Sequence, residues 1–324
     1  MNIVSRLVLV AAVIGAGCAQ PQAHAEHPAA PAAAPAAAPA AAAGGAPSAP
    51  AAASPRIDRR GSVEQQLARL QDAYDHDAEA IAFLNQVYAQ QKAQQAQRDS
   101  DEPAEDAVFA VDVTGDIALG QVDGPASAPV TIIKAFDFAC PYCQRTVATL
   151  EELVKEYGGK VRVVYTNMLI HPPAKPAHLA SCAAAKQGKY MAFKDAFWDQ
   201  GFGPYAASAG KDAASLGEDN ILKIAKGVGL DTRKLKTDMA GAECAARLEG
   251  DMAELAKFHV NATPTFFVNG KFLSGALPKD EFKRVIDAQL AIAEASGVPG
   301  AEYYRKVVLA KGEKQFRSKV DPKP

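Results

Sequence analysis

The alternation of apolar and polar positions between residues 129 and 165 predicts two strands joined by a helix. Residues 129–138 are rich in β-branched and aromatic side chains, which is typical of a buried central strand. Apolar residues then recur at helical spacing over 147–154, and a second strand pattern covers 161–165. This segment therefore has the pattern of a β-α-β unit, and a weaker strand pattern at 108–113 precedes it.

Helical patterns dominate the chain after residue 173. Four of them follow one another: 178–197, 219–228, 232–239 and 242–258. Two short strand patterns then return at 265–268 and 271–274, and Asn269-Gly270 between them is a hairpin signal. A last core helix is predicted at about 278–295.

These patterns predict an α/β domain over residues 105–295 that carries a helical insertion at 174–258. Residues 296–324 form a charged tail whose apolar positions predict one more helix. Residues 28–55 are almost wholly Ala and Pro. Because proline removes donors and fixes φ, we expect a disordered linker over 26–60.

A different helical pattern lies between the linker and the domain, at 61–100. Ser62 and Gln65 fit a capping box, and helix formers follow without Gly or Pro. The apolar positions alternate steps of four and three, with one miss at Asp77: Val63, Leu67, Leu70, Tyr74, Ile81, Leu84 and Tyr88. This spacing is typical of a coiled coil, which would make the chain a homo-oligomer through 62–97. The alternative is a single amphipathic helix packed on its own domain.

Residues 1–25 have the pattern of an export signal. Arg6 precedes an apolar run at 7–17 that is too short to span a bilayer. Cleavage before Cys18 would leave a lipidated cysteine, whereas cleavage after Ala25 would remove it. Both alternatives predict a protein of the periplasm or cell envelope, anchored by lipid in the first case.

Net charge and cysteine content narrow the range of possible functions. The net charge of −2 and the lack of a basic block in the sequence argue against a nucleic-acid partner. Five cysteines in 324 residues are too few for a scaffold held together by disulfides. The cysteines are therefore candidates for chemistry.

Cys140-Pro141-Tyr142-Cys143 directly follows the predicted central strand and begins the predicted helix. There the unpaired N–H groups and the helix dipole stabilise a thiolate at Cys140, the attacking sulfur. Cys143 lies almost one turn further on and is placed to resolve a mixed disulfide. Pro141 suits the first helical position because it has no N–H to leave unpaired. The alternatives are a bridge without turnover and half of a zinc site, for which the sequence offers no second ligand pair.

The segment 136–143, Phe-Asp-Phe-Ala-Cys-Pro-Tyr-Cys, resembles the active-site segment of DsbA-like thiol–disulfide oxidoreductases of the thioredoxin superfamily. Thr263-Pro264 resembles that superfamily's cis-proline loop. The resemblance implies a thioredoxin fold with a helical insertion, in which Pro264 is cis and lies beside Cys140. It also implies that the backbone of Thr263 pairs with an extended substrate.

The resemblance also singles out residues near the dithiol. Many DsbA-like proteins have an acidic residue six positions before the first cysteine, where this chain has Lys134. A cation there favours the thiolate, unless its side chain points outward. Tyr142 is neutral and adds no charge, and Asp137 either assists proton movement or pairs with local backbone.

Some DsbA-like proteins bridge two insertion helices with a structural disulfide, which implies a pair between Cys182 and Cys244. The alternative is that both are buried free thiols. Spacing along the chain does not decide between the two, because a bridge depends on the distance between the Cα atoms.

Together these features predict an exported thiol–disulfide oxidoreductase that acts on cysteine-containing exported proteins, without a cofactor, and is reoxidised by a membrane redox partner. An oxidase is favoured. The alternative is an oligomeric isomerase or reductase, since a helical segment before a DsbA-like domain resembles the ScsC type. A further alternative is a non-catalytic chaperone that binds peptides near Thr263-Pro264.

Overall fold

A computed structural model of the chain describes residues 60–323, in two units that divide after Asp75. The predicted signal at 1–25, its Cys18 and nearly all of the linker at 26–60 lie outside the described residues. The first helix, α1, is Val63–Asp101. It begins with the reciprocal bonds of a capping box: the Gln65 N–H donates to the Ser62 hydroxyl at 3.3 Å, and the Ser62 N–H donates to Gln65 Oε1 at 3.1 Å.

The apolar stripe of α1 is open to solvent. Ile81 is partly buried, and the other six stripe residues are exposed, from 44% for Leu70 to 80% for Val63. α1 buries no residue fully. Self-association and packing of this helix on its own domain both stay predictions.

A five-stranded sheet forms the centre of the second unit, in the order β1-β3-β2-β4-β5. The strands are β1 Val122–Asp123, β2 Val130–Phe136, β3 Val161–Asn167, β4 Thr265–Val268 and β5 Lys271–Ser274. β2 and β3 are parallel, and the other neighbours are antiparallel. Consecutive residues of a strand face opposite sides, so Ile132 belongs to one hydrophobic core and Ile133 to the other.

Helices cover both faces of the sheet. Those outside the insertion are α2 Thr114–Ala118, α3 Pro141–Glu156, α10 Lys279–Ala295 and α11 Gly300–Tyr303, which continues as a π-helical turn, Tyr304–Leu309. The insertion contains α4 Lys175–Ala185, α5 Tyr190–Phe197, α6 Gly203–Ala207, α7 Glu218–Gly227, α8 Thr232–Ala240 and α9 Ala242–Ala256. Short 3₁₀ turns at Pro172–Ala174 and Ala213–Leu216 and a π turn at Trp198–Phe202 complete it.

The structure differs from the predicted elements at two places. Residues 108–113 form no strand, because the Phe109 N–H donates to the Gly270 carbonyl and its only bridge is to Glu313, so no ladder develops. The helix predicted at 178–197 is two helices, which part at Gly188, where φ is +70°. The predicted mixed α/β fold with a helical insertion is confirmed.

Candidate active site

The dithiol lies where the central strand β2 turns into α3. Cys140 is the N-cap of α3, with an extended backbone, and Pro141 is the first helical residue. Cys140 is 3% exposed and Cys143 is completely buried. The apolar residues of 130–138 bury β2, and the helix that follows therefore presents its N-terminus, with its unpaired N–H groups, to Cys140.

The thiol of Cys140 contacts the Thr263–Pro264 loop, which is far from it in sequence. Its Sγ lies 3.3 Å from the carbonyl oxygen of Thr263, and the Thr263–Pro264 peptide bond is cis. A hydrogen bond with the Cys143 thiol and, less strongly, the N–H groups of Cys143 and Tyr142 lower the pKa of Cys140 to about 6, although burial opposes them. Cys140 is therefore suited to be a thiolate near neutral pH.

The second cysteine has the opposite electrostatic environment. Burial is the main reason that the pKa of Cys143 lies well above its usual range, and its hydrogen bond with Cys140 adds to the effect. The positive charge of Lys134 acts in the other direction. The pair thus combines an anionic sulfur at the surface side with a protonated sulfur beneath it.

Lys134 lies under the dithiol, and its side chain does not reach outward. It is 1% exposed, and its Nζ donates to the Cys143 carbonyl oxygen at 3.0 Å. The same Nζ is 6.0 Å from the centre of the Tyr165 ring, the residue paired with Lys134 across β2 and β3. Burial lowers the pKa of Lys134 to about 8, so the ammonium form predominates at pH 7.

Asp137 ties the dithiol turn to the loop that follows β3. Its buried carboxylate accepts bonds from the N–H groups of Ala139 at 2.7 Å, Ile170 at 2.6 Å and His171 at 2.7 Å. All three donors are main-chain groups, which fits the backbone-pairing alternative for this residue. Asp137 therefore fixes the position of the strand end from which Cys140 projects.

A buried polar network continues from Asp137 into the insertion. His178 Nε2 is 4.0 Å from Asp137 Oδ1, and its Nδ1 is 2.8 Å from Asn167 Oδ1. Asn167 Nδ2 donates to Asp251 at 2.8 Å. Burial lowers the pKa of His178 to about 4, so this ring is neutral at pH 7.

Asp251 and Asp116 share one arginine at the end of this network. Arg247 contacts Asp116 Oδ1 at 2.5 Å and Asp251 Oδ1 at 2.9 Å. Burial, and then the charge of Asp251, raise the pKa of Asp116 to about 7. The sequence analysis did not single out these residues. A signal was available, because Asp251 lies three residues after Leu248 and four before Leu255, on the buried face of α9.

Tyr142 is the exposed member of the dithiol turn. Its side chain is 52% exposed, and the Arg145 guanidinium lies 4.5 Å from the centre of its ring. The tyrosine is neutral, but this contact places a cation beside the exposed edge of the turn.

The two cysteines of the insertion, for which a bridge is predicted, form a disulfide between two of its helices. Cys182 of α4 and Cys244 of α9 are bonded, with their Cα atoms 5.7 Å apart. Alanines around Cys182 are buried and let the neighbouring helices approach. Among residues 60–323, no group of three or more His, Cys, Asp and Glu is placed to hold a metal ion.

Curated relatives that match include Na(+)/H(+) antiporters. NhaA of Herminiimonas arsenicoxydans is 27% identical over 184 residues, which are 57% of this chain and 28% of that protein. NhaA 3 of Salinispora tropica is 34% identical over 153 residues, 46% of this chain and 22% of that protein. The chain thus spans about a quarter of the length of these relatives.

These relatives contradict the predicted location. Antiporters named NhaA are proteins of the inner membrane, so the prediction of a periplasmic or lipid-anchored protein is wrong. That prediction was based on the apolar run at 7–17, and such a run reports only the preference of a short segment for apolar surroundings. In the part of the chain from 60 to 323, no helix has the length and hydropathy needed to cross a bilayer.

Two solved structures illustrate the similarity to known folds. A thioredoxin-like oxidoreductase from Silicibacter pomeroyi is 32% identical, with 52% of this chain and 90% of that chain covered and a TM-score of 0.42. BdbD from Bacillus subtilis, in its oxidised form, is 23% identical, with 59% and 99% covered and a TM-score of 0.48.

The family comparison covers the sheet, the dithiol at the start of α3 and the Thr263–Pro264 loop. The family model described as thioredoxin matches residues 115–288, which include both of these motifs. The predicted resemblance to thiol–disulfide oxidoreductases of the thioredoxin superfamily is thereby confirmed. The chain belongs to the thioredoxin family.

Proposed function

We propose that this chain is a thiol–disulfide oxidoreductase that transfers its Cys140–Cys143 disulfide to cysteine-containing proteins. The observation that carries the proposal is the position of Cys140 at the start of α3, where its pKa is lowered to about 6. A thiol with so low a pKa is a good leaving group, and this favours donation of the disulfide to a substrate.

The exchange proceeds in two displacements. A substrate thiolate attacks Cys140 Sγ, the Cys140–Cys143 bond breaks, and Cys143 leaves and takes up a proton. A second substrate thiolate then attacks the substrate sulfur of the mixed disulfide, and Cys140 leaves as the thiolate. The substrate loses two electrons and the dithiol gains them, so a separate redox protein must reoxidise Cys140 and Cys143.

Three neighbours support these steps. The carbonyl of Thr263, 3.3 Å from Cys140 Sγ, belongs to a loop at which an extended substrate strand can pair with the backbone. The ammonium of Lys134 offsets negative charge on the Cys143 sulfur as it leaves. Asp137 holds the turn in place through its three main-chain bonds.

Reduction of insulin disulfides and refolding of a reduced protein test the proposal. Cys140→Ser should abolish both activities, because it removes the attacking sulfur. Cys143→Ser keeps Cys140 and should accumulate a mixed disulfide with substrate, visible as a mass increase that dithiothreitol reverses. Full refolding activity of Cys140→Ser would instead favour the peptide-binding chaperone.

An isomerase or reductase is the second candidate, because the exposed apolar stripe of α1 is suited to self-association. The two candidates differ in the redox state of Cys140 and Cys143 in living cells. Rapid alkylation with a mass tag should find the pair mostly oxidised for an oxidase and mostly reduced for an isomerase. Leu67→Glu together with Leu84→Glu should convert an oligomer to a monomer in sedimentation experiments.

A further inference from the structure

A surface cleft between α7 and α8 is lined mainly by cations. Its volume is about 390 Å³. The lining consists of four basic and two uncharged residues: Lys223, Lys226, Arg233, Lys236, Leu222 and Thr232. None of the carboxylates in residues 60–323 contributes to this lining.

A second cleft adjoins the first and shares Lys236 with it. This cleft has a volume of about 450 Å³, and Lys175, Leu179 and Met239 contribute to its walls. One carboxylate, that of Glu218, lies in it. The five basic residues of the two clefts are all exposed, and together we call them the basic face: Lys175, Lys223, Lys226, Arg233 and Lys236.

The charges of the basic face are mostly unpaired. Elsewhere on the domain, exposed or half-exposed lysines such as Lys279 and Lys186 each contact two carboxylates. On the basic face only Lys236 has an ion pair, with Glu218 at 2.8 Å. Within the described chain, the other four side chains have neither an ion pair nor a side-chain hydrogen bond.

Two acidic groups outside the lining act on its cations, Asp231 on Arg233 and Asp219 on Lys236. Asp231 begins α8, and its carboxylate accepts bonds from the N–H groups of Arg233 and Lys234 at 2.9 and 3.1 Å. It is therefore engaged with the helix N-terminus. The whole chain has a net charge of −2, so the positive charge of this surface is local.

The second cleft reaches the loop that Asp137 ties to the dithiol turn. Pro172 lines the second cleft and directly follows His171, whose N–H donates to Asp137 at 2.7 Å. Asp137 precedes Cys140 by three residues, and its carbonyl accepts the Cys140 N–H at 3.1 Å. The second cleft is therefore linked to the dithiol turn through His171 and Asp137.

We propose that the basic face binds an acidic segment of the protein whose cysteines exchange with Cys140. The inference rests on the proposed function and adds a substrate class to it. A single small anion would contact the cations of one cleft, whereas the charges here extend over two clefts with apolar side chains among them. An extended chain that alternates carboxylates with apolar residues matches that arrangement.

Two peptides that contain the same disulfide test the proposal. One has Asp and Glu on its flank, and the other has Asn and Gln at the same positions. The full chain should exchange with the acidic peptide with a kcat/KM about tenfold higher at low salt, because opposite charge raises the encounter rate. This ratio should fall toward one at high salt, since ions screen exposed charges.

Charge-reversal variants test whether the preference for the acidic peptide depends on the basic face. Lys223→Glu with Arg233→Glu should reduce the acidic-to-neutral ratio to about one or below. Lys155→Glu with Lys311→Glu changes the net charge equally at two exposed lysines outside both clefts and should keep the ratio. The ratio is independent of the active fraction, so partial misfolding of a variant does not change it.

Three outcomes would overturn the inference: equal rates for both peptides, equal ratios in both double variants, or loss of the ratio when inorganic phosphate replaces chloride at constant ionic strength. The last result would identify a site for small anions. Equal rates with sustained turnover would leave the oxidoreductase proposal intact. Failure of the chain to exchange with either peptide would reject that proposal itself.

Discussion

The sulfur of Cys140 lies 3.3 Å from the carbonyl oxygen of Thr263, although 123 positions separate the two residues. β2 and β4 are antiparallel neighbours, with Ala135 paired to Thr265, so the end of one strand meets the beginning of the other. The dithiol turn follows β2 and the Thr263–Pro264 loop precedes β4. The pairing of β2 with β4 therefore brings the dithiol turn and the Thr263–Pro264 loop together to form the site.

The Cys140 thiol should titrate near pH 6 in the reduced protein, mainly because the Cys143 thiol bonds to it. Ultraviolet absorbance of the thiolate measures this titration. Cys143→Ala removes the bond and should raise the pKa of Cys140. The folded value is lower than the ordinary 9.0, so the added stability of the reduced protein is complete above pH 9 and is lost as pH falls through 6. Titration of the wild-type thiol near 9 would contradict this prediction.

Lys134→Met should make the disulfide a weaker oxidant. The ammonium stabilises negative charge on the two cysteine sulfurs, and at pH 7 only the reduced protein carries such charge, mainly as the Cys140 thiolate. We expect the equilibrium with glutathione at pH 7 to shift about threefold to tenfold toward the disulfide, a change of up to about 30 mV. The shift should fade above pH 8, where wild-type Lys134 itself loses its charge.

Mass spectrometry of alkylated samples measures that equilibrium at pH 7 and pH 9. Lys155→Met is the control, because this exposed lysine is in the same helix as the dithiol but in its last turn. An equal shift at both pH values would show that the Lys134 charge is not its cause.

The double variant Cys182→Ala, Cys244→Ala should lose about 2–4 kcal/mol of unfolding free energy. The bond joins residues 62 positions apart and so restricts the unfolded chain. Urea unfolding measures the loss. The glutathione equilibrium of Cys140 and Cys143 should stay unchanged in the folded variant, because those sulfurs are retained. An unchanged urea midpoint would mean that the bridge contributes nothing to stability.

Asp116→Asn should flatten the dependence of stability on pH. Burial and Asp251 raise the pKa of Asp116 to about 7 from its ordinary 3.8, so the folded protein retains a proton that the unfolded chain releases. Wild-type stability should therefore fall as pH rises from about 4 to 7. Unfolding by urea at pH 5 and pH 8 measures the difference. Asp280→Asn, at an exposed position, should retain the wild-type slope, and an identical slope in Asp116→Asn would refute the assignment.

Several features of the site are predictable because they are local. The apolar run of 130–138 forms a buried strand, and Pro141 allows a helix to begin directly after Cys140. The boundaries of β4 and β5 follow from two short strand-forming runs on either side of a turn at Asn269-Gly270. A short stretch of sequence is enough to predict each of these features.

Other features depend on residues that meet only in the folded chain. Lys134 was compatible with two orientations, and the packing of β2 against β3 directs it inward to Tyr165 and the Cys143 carbonyl. Asp116 and Asp251 are far apart in sequence and share Arg247. Position 251 breaks the apolar face of α9, but no pattern along the chain indicates its partners.

The sequence by itself therefore determined most of the strands and helices, the dithiol and its place at a helix start, because spacing and chain direction specify them. Tertiary structure alone decided which carbonyl faces Cys140, which charges lie under Cys143 and which cations remain unpaired on α7 and α8. Electrostatic energies depend on distance and burial, and both are properties of the packed chain.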